Sequence, residues 1–402
     1  MTELSRPLRI LQVSARYRPY VGGTEIHTGE VAVELAKRGH DVTVLTTDPG
    51  ADLPAEEWLD GVRVIRVLAW PRGTDLHLAP GLLRVIKAEP WDLVHVQGYH
   101  TAVAPVALWA AGRQGLPTAL TFHSGGHSSR IRNMARPVHT RAMARLMRNC
   151  QLLIGVSDWE TGLFTQRLDL EPGRIRTIPN GVSTDATLRP RSETGSAGPK
   201  TRPGDPAPHL LSIGRLQRYK GHQRIIRAMP RLLEADPGTR LTIIGMGPYG
   251  DRLERLVDDL GLHDSVTFDA VEAEDRPRLD RIMASASAAV FLSEYESHGM
   301  AAHEAILAGL PVVVLDATAL GGLVADGLAR AVPPMATDDE VASIVLRTLA
   351  ETGGRRPHDP PPPELERLRN SWPSIVRRLE AAYHEFVPAD RSAPPRIRDR
   401  TG

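Results

Sequence analysis

The stretch AAVFLSEYESHGMAAHEAILAGLPVVVLD, residues 288–316, decides the fold. Residues 288–292 and 311–315 are short apolar runs bounded by loop residues, the pattern of strands buried on both faces of a parallel sheet. Between them a helix is expected from about Gly299 to Gly309, where a glycine and then Pro311 end it. Ligands of open α/β sheets bind at the edge where such a strand hands over to its helix. At the helix start the amides of Gly299 and Met300 lack intrahelical partners and carry the positive end of the macrodipole, so a phosphate is the natural guest. Two carboxylates flank this point, Glu296 in the loop and Glu304 about one and a half turns into the helix. Acidic residues there also occur simply because they offset the macrodipole.

Working outward, the same pattern recurs in both directions. Residues 8–14, 42–46, 62–67, 93–96, 118–122 and 152–156 read as buried strands in the first half, and residues 209–214, 241–246 and 266–268 in the second. Helical segments such as residues 102–113 separate most of them. Strands alternating with helices, with no hairpin signal read between them, predict doubly wound parallel sheets. At 402 residues the chain can bury two cores of ordinary size. Residues 189–208, rich in Pro, Gly, Ser and Thr, read as a flexible connection between them. The domains are therefore expected at residues 1–183 and 209–371, joined by a linker at 184–208. A final helix is expected over residues 372–386, and residues 387–402 lack a core-forming pattern and are expected to be a disordered tail.

Charge and composition exclude several classes. The formal net charge is +1, so there is no bulk electrostatic case for nucleic acid. The one cysteine, Cys150, allows no internal disulfide and suits a reducing cytoplasm. The apolar run near the N-terminus is too short for a signal sequence, and no run of eighteen apolar residues occurs. The expectation is a cytoplasmic protein. Residues 128–149 are basic throughout, with Arg130, Arg132, Arg136, Arg141, Arg145 and Arg148 and no acidic residue. This is either a solvated helix face or a surface for an anionic acceptor or lipid headgroups, giving weak contact with the inner face of a membrane through Arg130–Arg148.

Further residues cluster at the predicted ligand edges. Gly22 and Gly23 stand at a strand-to-helix turn, where the lack of a Cβ lets backbone approach a phosphate. In GRLQRYKG, residues 214–221, Arg215 leaves a strand end and Lys220 precedes a helix, so both cations can face the edge that holds Gly299. Only four lysines occur in the chain, and Lys220 is one of them. His123, in TFHSGGH, falls at the end of a strand on the same kind of edge.

The ESHGM–EA arrangement of Glu296 to Ala305, the Arg215/Lys220/Gly221 spacing, the Gly22-Gly23 loop and the helix at 372–386 occur together and in order. This set resembles the retaining, nucleotide-sugar-dependent glycosyltransferases of family four (glycosyl transferases group 1), and the resemblance runs over most of the chain. It implies the GT-B fold, two Rossmann-like domains facing across a cleft, with the acceptor held by the first and the donor by the second. It implies transfer of a sugar from a UDP- or GDP-linked donor to an acceptor hydroxyl with retention at the anomeric carbon. Arg215 and Lys220 would neutralise the leaving diphosphate, Glu296 and His123 would contact the transferred sugar, and Glu304 the ribose. Gly22, Gly23, Gly299 and Met300 would approach the diphosphate, and the helix at 372–386 would cross back onto the first domain. No D-x-D pair occurs in the sequence, so no metal is expected, and no cofactor besides the donor substrate itself. The acceptor could be a secondary metabolite, a glycolipid or a polysaccharide. Two departures bear on donor preference: Ala317 to Leu323 lacks the family's glutamate, and His298 stands where an aromatic residue is common. A non-hydrolysing nucleotide-sugar epimerase and a non-catalytic nucleotide-sugar binding protein are the alternatives. Turnover of donor in the presence of acceptor separates both from a transferase.

Overall fold

The computed structural model describes residues 6–20, 22–71, 77–124, 130–182, 207–271, 275–351, 368 and 370–388; of residues 130–137 only the backbone is described. Nearly all of the expected linker, and residues 389–402 of the expected tail, lie outside the described residues. The contacts divide the chain into two units, the described parts of 1–124, 134–181 and 372–402 and those of 125–133 and 182–371.

The first unit is an eight-stranded sheet of β1 (Arg9–Ser14), β2 (Asp41–Asp48), β3 (Glu56–Leu59), β4 (Val62–Leu68), β5 (Leu93–Gln97), β6 (Thr118–Thr121), β7 (Leu152–Gly155) and β8 (Ile175–Thr177), in the order β3-β4-β2-β1-β5-β6-β7-β8. Its helices are α1 (Gly23–Lys37), α2 (Gly81–Ala88), α3 (Val103–Arg113), α4 (Arg130–Arg148) and α5 (Asp158–Arg167). The second unit is a six-stranded sheet of β9 (His209–Ile213), β10 (Arg240–Ile244), β11 (Val266–Asp269), β12 (Ala288–Phe291), β13 (Val312–Leu315) and β14 (Arg330–Val332), in the order β11-β10-β9-β12-β13-β14. With it go α6 (His222–Ala235), α7 (Gly250–Asp259), α8 (Arg276–Ser285), α9 (Met300–Leu307), α10 (Leu320–Ala325) and α11 (Asp338–Glu351), and the chain's last helix is α12 (Trp372–His384).

All strand pairs but one are parallel, and the reason is visible in the burial. β5, β6, β7, β12 and β13 are buried at every position, so neither face is left to water. In each sheet the order reverses at one point, between β1 and β5 in the first unit and between β9 and β12 in the second. Those are the places where a doubly wound sheet opens a crevice at its carboxyl edge.

The exception corrects the expectation that no hairpin is present. β3 pairs antiparallel with β4, Leu59 opposite Val62, around Asp60 and Gly61. Both turn residues take positive φ, +51° and +81°. That is what a two-residue primed turn demands, and Asp-Gly supplies it. The signal was present but lay outside the alternating strand-and-helix pattern, because β3 is a half-exposed edge strand of four residues.

α12 belongs to the first unit. Its Trp372, Ile375, Val376, Leu379, Ala382 and Tyr383 are buried, the 3–4 spacing of one helix face, and it packs on α1. Glu380 receives Arg38 and His40, the latter at 3.0 Å, and Tyr383 Oη lies 2.6 Å from His95 Nδ1. Val387 is buried and the Pro388 carbonyl accepts from Arg6, so packing continues past the helix.

At the start of α12 the Trp372 ring lies against Gly181, where an added Cβ would overlap the indole. A rigid indole, 6 % exposed, cannot make room. Gly181→Ala should therefore displace α12, at a cost of about 1–3 kcal/mol for overpacking. Chemical denaturation would read the loss of stability, and hydrogen exchange should rise over residues 372–384 more than elsewhere; unchanged exchange there would contradict the packing account.

Candidate active site

In the second unit the carboxyl ends of β9 and β12 are neighbours, and their loops are laced together. Gly221 has φ +79°, and a Cβ there would overlap the Leu292 carbonyl oxygen, so only glycine permits the approach. The Glu294 amide donates to the Tyr219 carbonyl at 2.7 Å. This brings Lys220, at the end of a single 3-10 turn (Arg218–Lys220), beside Glu296, the two meeting at 2.5 Å. Ser293 Oγ donates to the same carboxylate oxygen at 3.1 Å. The backbone amide of Glu296 donates to Thr318 Oγ1 at 3.0 Å. Thr318 itself holds φ +56°, an uncommon state for a β-branched residue. The lysine and the glutamate predicted to act on the same ligand are thus each other's partner, both half-buried.

Arg215 is exposed just beyond β9, where Gly214 takes φ +158°. His222 opens α6 and is 2 % exposed, its Nδ1 2.9 Å from Ser212 Oγ. Burial, with the Lys220 charge adding to it, lowers its pKa to about 4, so the ring is neutral at physiological pH.

α9 begins at Met300, with Gly299 at φ +81° as its cap. Glycine fits there because the Leu320 side chain fills the space a Cβ would need. The two flanking histidines stack, His298 on His303, with centroids 4.1 Å apart and planes 10° apart, so His298 does occupy its position as an aromatic ring. Glu304 sits in the body of α9, 9 % exposed, paired with Arg276 Nη1 at 2.9 Å. Burial pushes its pKa up and Arg276 opposes that. Arg276 also reaches Asp280 at 3.1 Å, while its buried Nη2 has no hydrogen-bond partner among the described residues.

The structure therefore gathers Lys220, Glu296, Gly299 and Met300 at one edge of the second sheet, with Glu304 further along α9 and Arg215 at the end of β9. Arg276, Ser293 and Thr318 complete the site and were not expected. Arg276 stands 28 positions before Glu304 in an unremarkable charged run, so spacing could not have found it.

In the first unit His123 follows β6 and is 5 % exposed, with φ +45°. Its Nε2 lies 2.9 Å from Gln97 Oε1, and the His27 ring packs edge-on at 4.6 Å. Gly22 precedes α1 in extended backbone, φ −178°, with the Glu25 carboxylate filling the space over its Cα, whereas the space at Gly23 is open.

Among the described residues no helix is long and apolar enough to cross a membrane. On α4, Val138, Arg141, Arg145 and Arg148 are exposed, and Arg148 Nε donates to the Leu168 carbonyl.

Two parallel-sheet units with crevices at their carboxyl edges define the GT-B fold. The solved structures that resemble this chain agree. The Anabaena HepE complex with UDP and glucose superposes with TM-score 0.71 at 18 % identity, covering 94 % of this chain and 99 % of that one. Sucrose-phosphate synthase from Thermosynechococcus elongatus superposes with TM-score 0.71 at 21 % identity, covering 94 % and 98 %. In sequence, residues 21–186 match the model of Glycosyltransferase Family 4 and residues 199–356 that of Glycosyl transferases group 1. Glycogen synthase of Mycobacterium tuberculosis is 32 % identical over 349 residues, 80 % of this chain and 81 % of that protein. D-inositol 3-phosphate glycosyltransferase of Nocardiopsis dassonvillei is 30 % identical over 388 residues, 87 % and 88 % of the two chains. The chain belongs to this family of nucleotide-sugar glycosyltransferases.

The Arg276–Glu304 pair sets a pH dependence. A carboxyl whose folded pKa is raised by burial costs stability as pH rises above its unfolded value near 4.5, and Arg276 is what limits that cost. Arg276→Met should lower stability at pH 8 by about 2 kcal/mol. The deficit should shrink as pH falls towards 5 and Glu304 takes up a proton. Melting temperatures of both proteins across that range would read it, and a deficit independent of pH would refute the pairing as its cause.

Proposed function

We propose that the chain moves a sugar from a UDP- or GDP-linked donor to an acceptor hydroxyl, with retention at the anomeric carbon and without a divalent metal. The observation that carries the reading is the Lys220–Glu296 contact at the reversal point of the second sheet, beside the start of α9. A diphosphate arriving there would give Lys220 a stronger partner, with Arg215 and the α9 amides as further donors. Glu296 would then be released towards the sugar hydroxyls. Fixed donors meeting the charge that grows on the leaving phosphate would supply the stabilisation that a metal supplies elsewhere.

Glu304 would accept two hydrogen bonds from a ribose diol, and Arg276 Nη2, which has no hydrogen-bond partner among the described residues, would add a donor beside it. The HepE complexes are with UDP and with UDP-glucose, which supports UDP over GDP for this chain. The relatives' names point to glycans and phosphorylated cyclitols as acceptor chemistry. The exposed arginines of α4 offer an anionic acceptor or an anionic lipid surface a contact in the same protein.

A thermal-shift panel of UDP, GDP, ADP and dTDP identifies the nucleotide, since a ligand at 100 times its Kd adds ~2.7 kcal/mol. With that nucleotide, Glu304→Gln should weaken binding by about 1.5–3 kcal/mol, whereas Glu296→Ala should leave it nearly intact and lower turnover. Calorimetry that found equal losses in both would sink the division of roles.

Turnover should survive excess EDTA and fall about a hundredfold or more in Lys220→Ala and Arg215→Ala. Donor consumption with acceptor present is the assay. Activity abolished by EDTA and restored by magnesium or manganese would refute the metal-free mechanism, and a fully active Lys220→Ala would refute the lysine's role.

A further inference from the structure

His123 is held from several sides, by Gln97, by His100 and, through Ser124, by Glu160. Its φ of +45° is a left-handed state that a non-glycine residue keeps only when its surroundings impose it. The ring is fixed by Gln97, the last residue of β5, at 2.9 Å through Nε2. The carbonyl accepts from His100 Nε2 at 2.8 Å. The next residue, Ser124, is fully buried and gives both its amide, at 2.5 Å, and its hydroxyl to Glu160 Oε1. Glu160 Oε2 takes the Val156 amide at 2.8 Å, so the carboxylate clamps the ends of β6 and β7 together. Glu160 is 0 % exposed in the first turn of α5, where Ser157 already caps the helix. A buried carboxylate is costly unless such bonds repay it.

Gln97 also decides which ring nitrogen carries the proton. Its Nε2 donates to Gln12 Oε1 at 3.1 Å, so its oxygen faces His123, and His123 Nε2 must carry the hydrogen that makes the bond. In the neutral ring Nδ1 is then the acceptor nitrogen.

We propose that Gln97 and Glu160 are positioning residues for the transfer reaction: Gln97 holds the His123 ring in its neutral Nε2–H tautomer, and Glu160 holds the backbone that aims it. The proposal rests on the reading that His123 meets the transferred sugar. A ring so fixed meets a sugar hydroxyl without having to reorient on binding. The titratable groups around it are His27 of α1, His95 two residues before Gln97, His100, and Glu160 through Ser124. His27 and His95 are themselves kept neutral by burial, with pKa values lowered to about 4 and about 3. The amide at position 97, unlike a carboxylate, adds no charge beside these neutral rings.

The test uses the full chain with ¹⁵N-labelled histidine, the His123 signals being assigned by their loss in His123→Ala. The wild type should show the Nε2–H tautomer at neutral pH. Gln97→Leu should give a mixture of tautomers, with UDP-glucose turnover down about tenfold, the factor one neutral hydrogen bond supports, and UDP affinity unchanged. Gln97→Glu should move the His123 titration to higher pH and carry the acid limb of the turnover profile with it. Glu160→Gln should speed hydrogen exchange at Ser124 and Val156; should it not fold, the Gln97 variants decide alone. Wild-type His123 found as the Nδ1–H tautomer would overturn the proposal. So would Gln97 variants whose tautomer changes without loss of turnover while His123→Ala is inactive. A fully active His123→Ala together with an altered tautomer in Gln97→Leu would instead leave the grip standing and overturn the role given to His123.

Discussion

The second unit depends on one close approach, that of the Gly221 backbone to the Leu292 carbonyl. Two loops from adjacent strands meet there without a side chain between them, one leading into α6 and the other towards α9. Because Gly221 also needs φ +79°, the position answers to two constraints, and both exclude a Cβ. From that approach follow the Lys220–Glu296 contact and the position of Ser293 between the Lys220 carbonyl and the Glu296 carboxylate. The site is thus set by backbone, and its charged side chains are short of freedom before any ligand arrives.

Much of the fold was legible because a strand buried on both faces leaves a plain mark. Residues 288–292 and 311–315 are apolar at nearly every position, and β12 and β13 fall within them. Edge strands leave no such mark. β3 and β14 are short and partly exposed, and even Asp60-Gly61, a strong turn signal, was masked by the expectation of helical crossovers. In the site, Lys220 and Glu296 were legible from spacing within their own loops. Arg276, Gln97 and Glu160 were not, because each acts on a residue 26 to 36 positions away through a strand order that no local pattern encodes.

The polar groups around Glu296 and those around His123 are arranged in different ways. Around Glu296, charges meet charges: Lys220 with Glu296, and Arg276 with Glu304 and Asp280. The polar groups near His123 are largely neutral and bonded in a chain, from Tyr383 through His95 to Thr121, and from Gln12 through Gln97 to His123. Burial enforces this, since an imidazolium deep in the sheet would lack the solvation it needs. Glu160 is a buried carboxyl group beside them, and burial raises its pKa against the pull of its three hydrogen bonds.

That contrast bears on the chemistry proposed. A diphosphate brings charge of its own, and a set of paired ions can exchange partners to receive it without any charge being left bare. An acceptor or sugar hydroxyl brings none, and a neutral, directionally fixed hydrogen-bond chain discriminates it by geometry instead. The last helix ties into this chain: Tyr383 of α12 is the far end of the His95 arm, and Trp372 packs edge-on against His27, which in turn packs against His123. The orientation of His123 therefore rests on α12 as well as on β5 and α5, and a change that loosens the helix reaches the ring through packing alone, 5.8 Å and then 4.6 Å at a time.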